Sequence, residues 1–183
     1  MADFADLLIG AGLLQFGWFT PDDAPYRLNL DMLPSYPEVL TAAAEQAMPF
    51  TVSISRLLAT PDAIPFGVAL SLRTGIPLVY SRGSEDAPVN DLVGAYDIGH
   101  VTLLVTNCIF SWEAVMNFSR RAHAVGLEVK AVVALVSICN PTAPNGKTSF
   151  AITDLDSAVV RLAERRELPR SHADAVRLWL QRC

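Results

Sequence analysis

The chain has 183 residues and a formal net charge of −5, with 51% apolar and 18% charged residues. This size and composition indicate one folded domain with a large core and exclude a disordered chain. The acidic balance argues against a nucleic-acid partner, because nucleic-acid binding depends on clustered Lys and Arg. Arginines are concentrated in residues 161–170, but glutamates interrupt them, and we interpret this segment as a solvated helix face.

The cysteines and the hydropathy pattern limit the class of protein further. Cys108, Cys139 and Cys183 form no Cys-x-x-Cys pair, which argues against a metal site or a disulfide framework and favours a reducing, cytoplasmic location. Asp3 and Asp6 stand where an export signal would carry positive charge. No apolar run reaches the length of a transmembrane helix, so we expect no membrane partner.

The first part of the chain predicts a small N-terminal unit. Residues 2–14 have the pattern of a short amphipathic helix. Two aromatic-rich runs, 16–20 and 26–30, flank Pro21-Asp-Asp and predict a hairpin. Ser35-x-x-Glu38 has the spacing of a capping box and predicts a helix through Ala47.

From residue 50 onward the pattern alternates between strands and helices. Predicted strands cover 50–57, 76–81, 101–106, 127–136 and 149–152. Predicted helices cover 62–74 and 111–125, closed by Gly75 and Gly126, and two more begin at Thr153-x-x-Asp156 and Ser171-x-x-Asp174. Residues 82–99 predict a long polar loop. The alternation predicts an α/β fold, a three-layer parallel sheet with helices on both faces.

Ligands of such sheets bind where the strands end, which draws attention to residues 106–113. This segment is expected to join a strand to the N-terminus of a helix, a place that suits an anion. It contains no glycine to let a phosphate approach the backbone, and Phe110 and Trp112 occupy the space where a phosphate would lie.

The motifs also occur in a familiar order. They are Phe16-Gly-Trp-Phe-Thr20, Pro25-Tyr-Arg-Leu-Asn29, Ala63-Ile-Pro-Phe-Gly-Val-Ala-Leu70, Gly75-Ile-Pro-Leu-Val-Tyr-Ser-Arg82 and Asn90-Asp-Leu-Val-Gly94. In this order they resemble the orotate phosphoribosyltransferases, which have the type I phosphoribosyltransferase fold. The resemblance implies one domain over 1–183, with an N-terminal hood over 1–34 and an α/β core over 35–183. It also implies a homodimer.

The resemblance implies a site from which several charged groups have been lost. The family ends its signature strand with two carboxylates and a Thr/Gly-rich loop that holds the 5-phosphate of phosphoribosyl pyrophosphate. Thr106-Asn107 stand at the carboxylate pair, if the strand has one inserted residue, and Phe110-Ser-Trp-Glu113 stand at the loop. Asp62 stands where the family has a lysine or a small polar residue. Arg82 is retained at the start of the mobile loop.

Several of these residues have two interpretations. Ser111 and Glu113 either bind a small polar ligand or cap the helix and compensate its dipole. Trp112 either plugs the core or stacks on a base. Arg82 is either a phosphate contact or an ordinary surface residue. Arg27 is a candidate partner for the orotate carboxylate, and the hood aromatics Trp18 and Tyr26 either frame a ring or hold the hairpin together.

We therefore predict an orotate phosphoribosyltransferase-like protein that has lost standard phosphoribosyl transfer. In this hypothesis it is a homodimer that binds a small nucleobase-like molecule or serves a structural or regulatory role, and it needs no cofactor. The alternative is an active, divergent transferase that makes orotidine 5′-phosphate in pyrimidine biosynthesis with Mg²⁺ and uses Arg82. The candidate ligand-binding residues are Tyr26, Arg27, Asp62, Arg82, Thr106, Asn107, Ser111, Trp112 and Glu113.

Overall fold

A computed structural model describes residues 3–18, 24–84, 88–139 and 148–181. Its helices are α1 (Phe4–Gly10), α2 (Pro37–Ala47), α3 (Ile64–Thr74), α4 (Pro88–Asp91), α5 (Trp112–Ala124), α6 (Leu155–Glu164) and α7 (Arg170–Leu180). Its strands are β1 (Leu14–Phe16), β2 (Tyr26–Leu28), β3 (Arg56–Ala59), β4 (Leu78–Ser81), β5 (Leu92–Val93), β6 (Val101–Ile109), β7 (Glu128–Ser137) and β8 (Thr148–Asp154). Three 3₁₀ helices cover Leu30–Ser35, Met48–Thr51 and Pro61–Ala63.

The six-stranded sheet has the order β5-β4-β3-β6-β7-β8, and all its strands are parallel except the edge strand β5. Successive residues of the central strands point to opposite faces. Leu103 and Val105 join the larger core with α1, α2, α3, α6 and α7, whereas Leu104 joins the smaller core with α5. Burial on both faces explains the continuous apolar runs of the central strands. The predicted three-layer architecture is confirmed.

The hood contains the predicted hairpin, in which β1 and β2 are antiparallel and Phe16 pairs with Tyr26. Its first strand is 14–16 and not the predicted run 16–20, of which residues 19–20, with the predicted turn at 21–23, lie outside the described residues. The hairpin is fastened to the C-terminal helix α7, because His172 Nε2 lies 2.8 Å from the carbonyl oxygen of Pro25. The His172 ring also meets Phe16 and Trp18 edge to face, at centroid distances of 6.5 and 6.0 Å. A helix near the end of the sequence thus holds the hairpin near its start.

Two predictions near the start of the core are wrong. Ser35 does not cap α2, since it ends a 3₁₀ helix and Tyr36 takes the N-cap position without a side-chain hydrogen bond. Pro37 at the first helical position explains this start, because its fixed φ suits a first turn that needs no N–H there. The strand predicted over 50–57 begins only at Arg56, since Pro49 favours the 3₁₀ turn before it.

Other boundaries also differ from the sequence pattern. The predicted loop 82–99 contains α4 and β5, and β6 continues past Thr106 to Ile109. Asp154, and not Thr153, caps α6, because its carboxylate accepts from the Ser157 amide at 3.0 Å. Pro169, and not Ser171, precedes α7. At these helix starts, small polar residues lie next to one another or near a proline. More than one residue can therefore take the N-cap position, which explains the shifted boundaries.

The arginines of residues 161–170 are partly neutralised by α1. Arg161 is paired with Asp3 at 2.7 Å and Arg165 with Asp6 at 2.9 Å. These partly exposed pairs connect α1 to α6, and each contributes little to stability because solvent screens it. Within the described ranges, no helix is both long and apolar enough to cross a bilayer.

Candidate functional site

A cavity of about 490 Å³ opens at the carboxyl ends of β3 and β6, between the sheet and the hood. This is the edge of a parallel sheet at which ligands usually bind, and the volume suits a small organic molecule. The described residues that line it come from the hood, the ends of the two strands and the first turns of α5. They are Leu28, Leu30, Asp31, Thr60, Asp62, Thr106, Asn107, Cys108, Phe110, Ser111, Ala114, Val115 and Phe118.

Asn107 is the most constrained polar side chain of the cavity. It is 2% exposed, and its Nδ2 donates to the carbonyl oxygen of Asp62 at 2.6 Å. This contact fixes the orientation of the amide, because a carbonyl can only accept. The Oδ1 atom is buried and has no hydrogen-bond partner among the described residues. A buried acceptor without a partner costs about 1–3 kcal/mol, so Asn107 keeps an acceptor that the described residues leave unsatisfied.

The connection between β6 and α5 is shorter than the sequence pattern indicated. Because β6 continues to Ile109, only Phe110 and Ser111 lie between the strand and Trp112, the first residue of the helix. The Ser111 hydroxyl oxygen accepts from the Glu113 amide at 3.1 Å, which is the capping interpretation. A turn of two residues, with one helix amide already paired, leaves little backbone to surround a phosphate.

Trp112 is not among the residues that line this cavity. It is half-buried against the smaller core, which Val115, Leu104 and Ile109 help to form. The placement favours the plug over the stacking platform. Phe110 instead lines the cavity at 58% exposure, and its carbonyl oxygen accepts a hydrogen bond from the Cys139 thiol at 2.7 Å.

The charge of the cavity comes from two exposed carboxylates. Asp31 belongs to the 3₁₀ helix of the hood, and Asp62 to the 3₁₀ helix that follows β3. Among the described residues, no Lys, Arg or His lines the cavity. The potential there is therefore negative, which favours a neutral or cationic ligand over a polyanion.

The structure brings together four of the nine predicted ligand-binding residues, Asp62, Thr106, Asn107 and Ser111. The other five do not line the cavity. Tyr26 is buried in the larger core, Arg27 is exposed on β2, and Glu113 is exposed in the first turn of α5. Arg82 is exposed after β4, and Trp112 packs as described above.

The sequence did not indicate most of the apolar residues that line the cavity, nor one of its two acidic residues, Asp31. Thr60 directly follows β3, within the segment 56–62 that the strand-end rule indicates. Phe118 could have been found by helical spacing, since it lies one and two turns beyond Ala114 and Ser111 on α5. Leu28, Leu30 and Asp31 could not, because their position depends on how the hood folds over the sheet.

A second polar cluster, outside the cavity, joins α4 to β4 and α5. Asp91 is fully buried, and its carboxylate accepts from the Ser81 hydroxyl at 2.7 Å and from the Ser84 amide at 2.8 Å. Arg121 on α5 lies 3.2 Å from the same carboxylate and donates to the carbonyl oxygen of Ser84 at 2.8 Å. Burial raises the pKa of Asp91, but these hydrogen bonds and the Arg121 charge outweigh it and hold the pKa below its ordinary value.

The donor set at the end of β6 does not fit Mg²⁺. Thr106 and Asn107 offer a hydroxyl and an amide there, whereas Mg²⁺ sites use carboxylates and substrate phosphates. In the parts of the chain that the structure describes, no three His, Cys, Asp or Glu residues are grouped so that they could hold a metal ion. The function proposed below therefore includes no step that depends on Mg²⁺.

Comparison with solved structures establishes the fold. The chain matches the structure of UMP synthase from Leishmania donovani at a TM-score of 0.82 and 21% identity, over 98% of this chain and 42% of that one. It matches orotate phosphoribosyltransferase from Francisella tularensis at 0.71 and 16% identity, over 99% and 98% of the chains.

The corresponding enzyme from Aeropyrum pernix also matches, at a TM-score of 0.71 and 16% identity, over 87% of this chain and 99% of that one. No family model and no protein of curated function match the sequence. The protein therefore has the type I phosphoribosyltransferase fold in a form like that of the orotate phosphoribosyltransferases.

Proposed function

We propose that this protein binds a small molecule of low negative charge in the cavity between hood and sheet and does not carry out standard phosphoribosyl transfer. One observation carries the proposal: the described lining holds Asp31 and Asp62 and no cationic side chain. Binding proteins and enzymes share folds, so the fold is compatible with either role, and the argument must come from the site.

The electrostatic argument concerns the phosphate groups of a phosphoribosyl donor. A carboxylate about 5 Å from one phosphate charge costs about 3 kcal/mol at an effective dielectric constant of 20. Catalysis of diphosphate departure requires the opposite, positive groups aimed at the charge that develops. Arg82 is the cation that the family resemblance predicts as a phosphate contact. It is exposed and does not line the cavity.

The fold itself supports a link to transferase chemistry at a coarser level. The solved structures that this chain resembles include enzymes named as orotate phosphoribosyltransferases. An active divergent transferase would have to neutralise its donor with groups other than the described lining. Because the lining adds negative charge, we favour loss of the reaction with retention of the pocket.

Titration of the protein with phosphoribosyl pyrophosphate and Mg²⁺ tests the proposal. We expect no saturable heat at micromolar donor, and no change in orotate absorbance when orotate and donor are mixed with the protein. An active orotate phosphoribosyltransferase run in the same buffer controls for the assay. Micromolar donor affinity, or consumption of orotate, would contradict the proposal.

We also propose that the protein is a homodimer. On α3, Leu72 is 83% exposed and Val68, one turn earlier, is 42% exposed, so one face of this helix presents two aliphatic side chains to solvent. Exposed apolar faces of this kind favour contact with a second copy. Light scattering at micromolar concentration is expected to give twice the mass of 19.8 kDa.

The variant Leu72→Glu places a charge on that face and is expected to shift the protein towards the monomer. Asn117→Glu, at an exposed position of α5, is a control for the added charge. A monomeric mass for the unmodified protein would refute the dimer.

A further inference from the structure

We infer that the cavity selects a planar organic cation with N–H donors, of the amidinium or protonated aminoheterocycle type. The inference deepens the proposed function and depends on it, because it names the class of ligand for the same cavity. Three independent features of the lining point to this class: its charge, its unpaired acceptor and its aromatic walls.

The first feature is the charge. Asp31 and Asp62 contribute two carboxylates from two different segments of the chain, and neither side chain forms an ion pair among the described residues. A cation placed between hood and sheet gains attraction from both. Because both carboxylates are exposed, solvent screens them, and each is expected to contribute about a threefold to tenfold gain in affinity.

The second feature is the acceptor. Asn107 Oδ1 is buried and unpaired among the described residues, while Nδ2 of the same amide is held by the carbonyl oxygen of Asp62. The side chain cannot reverse without bringing two acceptors together, so the unsatisfied atom of this lining residue is an acceptor. It favours ligands that donate from nitrogen and disfavours carboxylates and phosphates, which can only accept when ionised.

The third feature is the shape and polarity of the walls. Phe110 and Phe118 supply aromatic surface, and Leu28 and Leu30 of the hood supply aliphatic surface. Flat ligands fit between apolar walls of this kind, and aromatic rings attract cations through their negatively charged faces. An aliphatic polyanion would gain neither contact.

One feature opposes a cation, the N-terminus of α5 beside Ser111. A helix N-terminus acts as about half a positive charge. Here the Ser111 hydroxyl oxygen accepts from the Glu113 amide, and the Glu113 carboxylate lies in the first turn. The two carboxylates of the described lining, Asp31 and Asp62, carry more charge than the half charge of the helix end, so the net charge at the cavity stays negative.

A matched series of three benzene derivatives tests the inference. Benzamidine is a planar cation with N–H donors, benzamide is neutral with an N–H donor, and benzoate is an anion with acceptors only. We expect calorimetric titration of the full chain to give affinities in the order benzamidine, benzamide, benzoate. Benzamidine affinity should fall as salt is raised, because exposed carboxylates are screened.

Variants of Asp31 and Asp62 test whether the three benzene derivatives bind in this cavity. Asp31→Asn and Asp62→Asn are each expected to weaken benzamidine about threefold to tenfold, with benzamide almost unchanged. Asp97→Asn removes one exposed carboxylate outside the cavity and is the control for net charge. Both cavity residues are exposed, so these variants should fold normally, which thermal unfolding checks.

The outcomes separate this inference from the proposed function. Benzoate affinity equal to or above that of benzamidine, or no binding of benzamidine at millimolar concentration, overturns the inference. So does unchanged benzamidine affinity in a variant that combines Asp31→Asn with Asp62→Asn. If the transferase assay is silent at the same time, the proposed function stands and only the ligand class is wrong. If orotate is consumed, the proposed function is wrong, and the inference that depends on it is overturned as well.

Discussion

Replacement of Asp91 by alanine is expected to lower the free energy of unfolding by about 3 kcal/mol. The change leaves the Ser81 hydroxyl and the Ser84 amide without their acceptor, and it leaves Arg121 without its partner. Loss of a charged acceptor that holds several buried donors costs about 2–4 kcal/mol in total. Asp97→Ala, at an exposed site near the end of the same segment, should change stability by about 0.5 kcal/mol or less.

The effect of Asp91 should depend on pH in one direction. Because the folded protein holds the pKa of Asp91 below its ordinary value, the contribution is complete above the unfolded pKa of about 4. It is lost as pH falls through the lower pKa of the folded state. Urea unfolding of the unmodified protein and of Asp91→Asn should therefore differ at neutral pH and converge towards acid. A difference that grows as pH falls would contradict this account.

Replacement of Gly94 by alanine is expected to be comparably damaging, at about 3 kcal/mol. Gly94 follows the edge strand β5 and has a φ of +134°, in a region that residues with a side chain rarely adopt. An added Cβ would lie 2.8 Å from the carbonyl oxygen of Leu78 and 3.1 Å from Val79 Cα, both in the backbone of β4. Neither atom can move without disturbing the β4–β5 pairing.

Gly75→Ala is the matched control for Gly94. Gly75 ends α3 with a φ of +73°, but nothing lies within 4 Å of the position of an added Cβ. Its replacement should cost only the left-handed backbone conformation, about 1 kcal/mol. Thermal unfolding is expected to show the larger loss for Gly94→Ala, because its backbone conformation is rarer and its added Cβ meets β4. Equal losses in the two variants would contradict this account.

The sequence predicted the layered α/β fold because its strongest signals are local and repeated. The apolar runs of β6 and β7 and the glycine after α3 each indicate an element without reference to the rest of the chain. Boundaries were less predictable, since Ser35 and Thr153 sit in patterns that more than one capping geometry can use. The continuation of β6 to Ile109 depends on pairing with β7, which places Ile109 beside Ser137.

The candidate site was predictable where it follows from strand ends and not where it follows from the hood. Thr106 and Asn107 were found because they come at the end of a buried strand, and Asp62 because the family resemblance places it at a site position. Asp31, Leu28 and Leu30 reach the cavity only through the folding of residues 24–35 over the sheet. Asp91 was missed because an acid in a polar segment usually indicates solvent, and its burial depends on Ser81 and Arg121.

The continuous pairing of β6 has a consequence for how a ligand is received. Cys108 and Ile109 are paired in register with Val136 and Ser137, so the floor of the cavity on which Asn107 stands is fixed by backbone hydrogen bonds before any ligand arrives. Little ordering entropy is then spent at that surface on complex formation. The free and the liganded protein should therefore superpose at the floor of the cavity. Ligands of different size should be accommodated by movement of the β1–β2 hairpin about its attachment at His172.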